Sequence, residues 1–376
     1  MGYVCYDVIQ GTIRWDGVKR WKGSEDKKIK KYALGVGDFV IAMDRTWVKT
    51  GLKASIITER DVPSFLVQRV ARLRTKKSLN ARFLPMLIRS HRFEQYVKGV
   101  QTETAVPHIS PDQIKDYPIY LPPLPEQKAI ADLLSTWDEA IEKTERLIRA
   151  KEKRLDAYAR DLFDSKNDGK YQGWKVVNLK TVLTEHCDKS TGSEEVYSVS
   201  VHKGLVNQIE HLGRSFSAAN TDNYNCVHYG DIVYTKSPTG DFPLGIVKQS
   251  YTEKDVIVSP LYGVFTPKTF NLGIVLDFYF SSPARARNDL FPIVQKGAKN
   301  TIAITNKTFL SNKLHLPIDE QIQKNVAEFV HVAREEIDLL KQLAEKYKKQ
   351  KRGLMQKMLT GEWRIKLEIV KQYMGT

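Results

Sequence analysis

LPPLPEQKAIADLLSTWDEAIEKTERLIRAKEKRLDAYARDLF, residues 121–163, decides how the rest of the chain must be arranged. Pro122, Pro123 and Pro125 block helix before Glu126, and Pro125 falls at a first helical position, where its missing N–H costs nothing. Glu126 follows in the first turn and complements the positive end of the helix dipole. Ile130, Leu134, Trp137, Ile141, Thr144, Ile148, Lys151, Leu155, Tyr158 and Leu162 then recur in steps of four and three, a heptad seam with Lys and Glu outside it. Asp164-Ser165-Lys166-Asn167-Asp168-Gly169 closes the segment. At about 1.5 Å per residue, Glu126–Phe163 predicts a rod of about 57 Å, and its apolar stripe needs a partner.

The partner lies in the same chain. After Leu316-Pro317-Ile318-Asp319-Glu320-Gln321 a second seam reads Val326, Val330, Ala333, Ile337, Leu340, Ala344, Tyr347, Lys351, Leu354 and Met358. The two seams superpose at a constant offset of 196 (326 − 130 and 358 − 162), and each holds one lysine, Lys151 and Lys351, at different levels. A heptad stripe is ordinarily a helix packed on its own domain. Two matched rods, each following a globular-looking segment, point instead to a helix pair. The pattern leaves parallel and antiparallel open; a pseudo-two-fold between two similar units makes the pair antiparallel.

The repeat extends beyond the rods. Val8-Ile9-Gln10-Gly11-Thr12-Ile13 sits over Val201-His202-Lys203-Gly204-Leu205-Val206, and Gly37-Asp38-Phe39-Val40 over Gly230-Asp231-Ile232-Val233, both at an offset of 193 (201 − 8 and 230 − 37). Lys98-Gly99 aligns with Lys296-Gly297 at 198 (296 − 98), and the Pro-Glu-Gln helix starts at 194 (320 − 126). The organisation expected is a first domain over residues 1–121, a first rod over 122–168, a second domain over 169–315, a second rod over 316–360 and a tail over 361–376. Each domain reads as α+β with β predominating. The strands expected in the first are Tyr3–Ile9, Asp38–Met43, Ala54–Thr58 and Phe65–Leu73, before a helix over Leu79–Val97. Those in the second are Trp174–Leu179, Val196–Val201, Asp231–Thr235, Ile246–Gln249 and Leu261–Phe265, before a helix over Leu272–Phe280. Gly361-Glu362-Trp363-Arg364-Ile365-Lys366-Leu367 echoes Gly173-Trp174-Lys175-Val176-Val177-Asn178-Leu179. The C-terminus is therefore expected to supply the first domain with its missing strand, packing Trp363, Ile365 and Leu367 there and making the chain pseudo-circular.

With 376 residues the chain suits two domains of ordinary size. Its net charge of +15 implies a polyanionic partner or an acidic membrane surface. No apolar run is long enough to span a bilayer, and Met1-Gly2-Tyr3-Val4-Cys5 leads into strand-like sequence, not a signal peptide, so no membrane association is expected. Three cysteines, Cys5, Cys187 and Cys226, irregularly spaced, fit a reducing cytoplasm.

Two variable mixed domains, each followed by LPPLPEQ-helix or LPIDEQ-helix, a Gly-Asp-x-Val motif in each, and a rod ending in LMQKMLTGEW resemble the specificity subunit of a type I restriction–modification complex. The resemblance covers essentially the whole chain. It implies that residues 1–121 and 169–315 are target-recognition domains on an antiparallel pair of long spacer helices, each domain reading one half of a bipartite asymmetric site in double-stranded DNA. It also implies two modification (methyltransferase) subunits using S-adenosylmethionine, and restriction subunits using ATP and Mg2+, as partners. The short N-terminus departs from the family, and the circular arrangement accounts for it.

Phosphates are met by Lys and Arg, base edges by Arg, Lys, Asn, Gln, Ser and Thr. By the resemblance, the loop after each Gly-Asp-x-Val strand faces DNA. This nominates Arg45, Thr46, Lys49 and Lys53 in the first copy and Lys236, Ser237 and Thr239 in the second, with Lys248 beyond. The loop before each exit strand is the next choice: Lys98, Gln101 and Thr102, and Lys296, Lys299 and Asn300. Arg14, Trp15, Lys19 and Arg20 form a basic-aromatic cluster equally readable as structural. Arg69, Arg72, Arg74, Lys76 and Lys77 form a charge run that reads as either a solvated face or phosphate contacts.

No phosphate-binding Gly-x-x-x-x-Gly-Lys-Ser/Thr loop occurs. Ser259-Pro260-Leu261-Tyr262 is short of the second proline of an adenine-methyltransferase motif and reads as a turn. His186, Cys187, Cys226 and His228 have no recognised zinc spacing, so no metal is expected. The expected function is therefore non-catalytic DNA recognition, with no cofactor on this chain. The alternatives are the recognition subunit of another two-component restriction or methylation system, or a basic coiled-coil scaffold for other proteins.

Overall fold

A computed structural model describes residues 7–18, 27–48, 51–164, 172–209, 221–296 and 302–374. The chain divides into two compact units, one of residues 1–145 and 342–376, the other of residues 146–341, so both chain ends belong to the first unit. Each unit holds one mixed domain and a length of both rods.

The rods are single helices, Leu124–Leu162 and Glu320–Met358. All twenty seam positions are buried or half-buried, while the Lys- and Glu-rich positions between them face solvent. Within each unit the numbering of one helix rises as the other falls, so the pair is antiparallel. In the first unit Trp137 meets Tyr347 edge-to-face at 5.6 Å and Glu145 pairs with Lys348 at 3.0 Å. In the second, Tyr158 packs on Phe329 at 4.2 Å and Glu152 pairs with Lys341 at 2.8 Å. The two seam lysines are each matched by an acid on the opposite helix, Lys151 by Glu336 and Lys351 by Asp138. A lysine in an apolar seam sits best where such a partner is in reach, so these pairs specify register.

Both domains are built on an antiparallel sheet whose middle strand follows Gly-Asp. In the first, Phe39–Ala42 lies between Ala54–Ile56 and Val70–Leu73, with Phe39 opposite Ile56 and Leu73. In the second, Ile232–Tyr234 lies between Val247–Gln249 and Gly263–Pro267, with Ile232 opposite Gln249 and Phe265. Leu183–Glu185 adds a fourth strand there. Matching registers confirm the repeat at the level of hydrogen bonds. Helix Leu79–Val97 is corrected to two helices, Leu84–Ile88 and His91–Val100. Ser90 breaks them: its hydroxyl donates to the Leu87 carbonyl and accepts from Phe93 N–H, capping the second helix.

One glutamine per rod anchors helix to domain. Buried Gln127 donates to the Ser78 and Pro122 carbonyls and accepts from Asn80 N–H. Gln323 donates to the Pro317 carbonyl and accepts from the Thr269 hydroxyl. Their offset of 196 (323 − 127) continues the seam, so the apparent Pro-Glu-Gln alignment at 194 is not the structural one. A second anchor is electrostatic and confined to the second unit. Asp277, buried on helix Phe270–Tyr279, accepts from Gln249 N–H and from Arg334 of the rod at 2.8 Å, with Lys248 at 3.5 Å. Burial works to raise its pKa, but the two cations outweigh it and hold the carboxyl below its ordinary value. Removing one partner of such a group costs about 3–5 kcal/mol. Lys248 is thus spent on the core and is no DNA contact.

The expected closing strand is corrected. Residues 361–366 form no strand, Leu367–Lys371 is a short helix, and Trp363 and Leu367 stand 47% and 62% exposed. In the second domain Trp174–Asn178 pairs with Lys313–Pro317 along five residues; in the first, the ring of Tyr120 lies 2.7 Å from where a Cβ on Gly361 would sit. The tail nevertheless docks on the first unit. Ile365 packs with Phe83, Leu87, Ile130, Leu134, Met358 and Leu359, and Arg364 forks onto the buried Glu126 carboxylate at 2.5 and 2.6 Å. Glu126, expected only as a dipole partner, is the latch.

Arg364 beside it, helped by Ile365 N–H, holds the Glu126 carboxyl below its ordinary 4.5. A carboxylate whose folded pKa is depressed contributes stability above its unfolded pKa and loses it as pH falls through the folded value. Arg364→Ala should therefore be less stable than wild type at pH 7, and the gap should narrow below about pH 5. Denaturant unfolding of the whole chain at both pH values checks this; an equal gap at both would remove the latch.

Candidate nucleic-acid interface

The Gly-Asp pair before each middle strand makes the same turn twice. Gly37 and Gly230 have φ of 89° and 91°, a conformation glycine adopts without a Cβ penalty. Asp38 then accepts from Gly35 N–H at 2.9 Å, and Asp231 from His228 N–H at 2.8 Å. Asp38 accepts a charged fork from Arg74, whereas Asp231 accepts hydrogen bonds from His186 Nε2 and the Thr266 hydroxyl. Burial raises the pKa of both carboxyls, but these bonds lower it by more, and each ends below its ordinary value. The motif is a structural turn that aims the strand.

At its far end each strand runs into a basic residue in left-handed conformation, Arg45 with φ 46° and Lys236 with φ 59°. A side chain there costs about 1–2 kcal/mol, and such strain gathers at binding and catalytic sites. Both are held by backbone contacts: Arg45 N–H donates to Pro107 O at 2.7 Å, and Gly245 passes so close to Lys236 that a Cβ would sit 2.7 Å from its nitrogen.

In the first unit the two nominated loops converge. Met43 accepts from Ile109 N–H and donates to Arg69 O, and Thr102 N–H donates to His108 O. Arg45, Gln101 and Thr102 therefore share one end of the sheet with two residues the loop argument passed over, Arg69 and His108. His108 Nδ1 is 2.7 Å from Asp44 Oδ1, and Arg69, itself left-handed at φ 65°, is 3.8 Å from Asp44. A left-handed arginine in the charge run was the missed signal, because φ is invisible in sequence. Thr46 is corrected: it is buried, and its hydroxyl donates to Met43 O. Lys98 is corrected too, since it lies on helix His91–Val100 and pairs with Glu94, so Lys98-Gly99 and strand residue Lys296 are not equivalents. Lys53 is half-buried in the hairpin that follows Trp47. Arg72 and Arg74 bind their own domain, while Lys76 and Lys77 are exposed. Arg14 pairs with Asp7, and Trp15 donates to Asp61.

In the second unit Lys236 is half-buried and desolvation lowers its pKa, while Ser237 and Thr239 are exposed in the loop beyond it. Thr239 and Phe242 exchange backbone bonds that close this loop. Lys296 is on the short strand Gln295–Lys296, of which only the backbone is described. Lys19, Arg20, Lys49, Lys299 and Asn300 lie outside the described residues. Among the described residues no helix is long and apolar enough to cross a membrane.

Residues 6–152 match the family described as Type I restriction modification DNA specificity domain. The specificity subunit of the type I restriction enzyme EcoAI of Escherichia coli is 30% identical over 142 residues, 38% of this chain and 23% of that protein. The MjaVIII specificity subunit of Methanocaldococcus jannaschii is 31% identical over 148 residues, 38% of this chain and 35% of that protein. The matches thus span well under two thirds of either relative. In fold the likeness is broader: the S subunit of a type I system from M. genitalium superposes with a TM-score of 0.56 over 88% of this chain and 84% of its own, at 16% identity. A further structure, solved for assembly and conformational transition of a type I restriction–modification system, gives 0.51 over 88% and 83%, also at 16% identity. The two-domain α+β fold with its long helix pair is that of type I specificity subunits.

The left-handed residues can be tested without DNA. Arg45→Gly should be more stable than Arg45→Ala by about 0.5–1 kcal/mol, relieved backbone strain outweighing the extra chain entropy of glycine, and Lys236 should behave alike. Thermal unfolding of the four variants decides; alanine equal to or better than glycine would deny the strain.

Proposed function

We propose that this chain is the DNA-recognition subunit of a type I restriction–modification complex, each domain reading one half of a bipartite asymmetric site. The observation that carries the reading is the twinned strand end. Two equivalent strands deliver a strained, solvent-accessible basic residue beside polar loops, in a chain of net charge +15 whose residues 6–152 match the type I DNA specificity domain. The chain recognises and does not catalyse. Two modification subunits with S-adenosylmethionine, and restriction subunits with ATP and Mg2+, would complete the complex in the cytoplasm. Docking of such partners is supported by the rods: Val332 and Leu339, one heptad apart on the second, are 61% and 57% exposed. The same feature favours the second reading, a protein scaffold without DNA, and salt separates the two. Binding through many phosphates weakens steeply with salt, whereas apolar helix contacts do not.

Arg45→Ala should weaken or alter reading of one half-site and Lys236→Ala the other. A lost base-edge contact costs about 1–3 kcal/mol, and a lost phosphate contact shows as a shallower salt slope. Unchanged affinity and half-site preference in both, measured on duplexes varied in each half, would take the loops off the DNA. The rods are proposed to set the spacing. One heptad added at the same level in both keeps the seams in register and adds about 10.5 Å, close to three base pairs of rise. A folded insertion variant that prefers the original spacing would exclude the ruler.

A further inference from the structure

His186 and His228 face each other on the second domain, ring centroids 5.2 Å apart, with the Asp188 carboxylate against both. Asp188 Oδ2 is 3.3 Å from His186 Nδ1 and 3.2 Å from His228 Nε2. The other nitrogen of each ring is already engaged, His186 Nε2 by Asp231 at 2.9 Å and His228 Nδ1 by Asp255 at 2.9 Å. An ionised carboxylate only accepts, so a neutral imidazole must donate through that engaged nitrogen, leaving a lone pair on the other. Both free lone pairs are then directed at Asp188, itself an acceptor. His186 Nδ1 is buried without a hydrogen-bond partner. With both rings neutral, two imidazole lone pairs and one carboxylate converge on one point, a donor set that a cation satisfies.

We propose that His186 Nδ1, His228 Nε2 and the Asp188 carboxylate bind a divalent transition-metal ion, Zn2+ foremost, with a fourth position open to solvent. Zinc holds N and O ligands at about 2.0–2.1 Å in a tetrahedron, which sets neighbouring ligand atoms about 3.3 Å apart. The contacts of Asp188 to the two rings have that spacing, and all three ligand atoms lie within 4.8 Å of one another. Asp231 and Asp255 are the outer carboxylates that fix ring tautomer and orientation in such sites. Two imidazoles favour zinc and its neighbours over Mg2+ or Ca2+, which prefer oxygen.

The ligands stand on rigid elements. His186 follows strand Leu183–Glu185, His228 follows Asn225–Val227, and the Asp188 carbonyl accepts from Cys226 N–H of that strand at 2.9 Å. Asp188 and His228 side chains are 61% and 41% exposed, so an ion has a path in. The first domain is an internal control. There Gly35 stands at the position of His228 (228 − 193), and Arg74, not an imidazole, neutralises the equivalent aspartate. The turn folds without these histidines, so the cluster is an addition specific to the second domain. Bound metal would pin the segment after His186 to the sheet.

The whole chain, stripped with EDTA and dialysed, would be titrated with Zn2+ by calorimetry and with Co2+ by visible absorption. One Zn2+ per chain is expected, with a tetrahedral cobalt spectrum and a rise in melting temperature on adding Zn2+. Asp188→Asn and His228→Gln should each weaken that binding at least 100-fold and abolish the thermal shift, and Asp255→Asn should weaken it 10–100-fold. Asp188 is exposed, so its asparagine variant should fold, which circular dichroism verifies. Zinc bound equally by wild type and Asp188→Asn, or no stoichiometric binding by wild type, would overturn the site and leave a histidine–aspartate ion-pair network.

Discussion

The structure depends on one unfavourable alternative, an apolar stripe left in water along two helices of 39 residues each. Neither helix can hide its seam alone, and each is joined to its own domain by a buried glutamine. Because the chain passes through domain, rod, domain and rod, antiparallel pairing of the rods gathers both chain ends into one unit. Leu and Ile supply the burial, but Lys151 with Glu336 and Lys351 with Asp138 supply the register. An apolar seam slipped by one heptad buries almost as much surface, whereas a slipped lysine loses its acid.

The two domains solve the same local problem with different residues. Each starts its middle strand on a positive-φ glycine and a buried aspartate, and each must give that aspartate hydrogen-bond partners. Arginine does so in the first and histidine in the second. Their rod contacts differ likewise: Arg334 reaches into the second domain to Asp277, while Arg364 of the tail reaches Glu126 in the first unit. Backbone conformation is shared where the side chains have diverged.

Much of the candidate interface was legible because it sits in loops at fixed places after a recognisable motif. Arg45, Lys236, Ser237 and Thr239 follow the two middle strands, while Gln101 and Thr102 follow the helix His91–Val100. Thr46 and Lys98 were misplaced for physical reasons. A threonine hydroxyl satisfies a nearby carbonyl as readily as a base edge, and Ser90 starts a helix that carries Lys98 out of the loop. Arg69 read only as part of a charge run, and His108 not at all, because their nearness to Arg45 comes from backbone bonds between segments far apart in sequence.

The sequence by itself determined the repeat, the two rods, their matched seams and the α+β character of the domains, since periodicity, proline and glycine act within a few residues. Tertiary structure alone decided how the tail closes. Trp363 and Trp174 look alike in sequence, but in the tail an arginine latch onto Glu126 and a short helix stand where a strand was expected. It alone also brought His186, Asp188, His228 and Asp255 together. Their spacing in the chain carries no pattern, and only the sheet makes neighbours of residues separated by up to 69 positions (255 − 186).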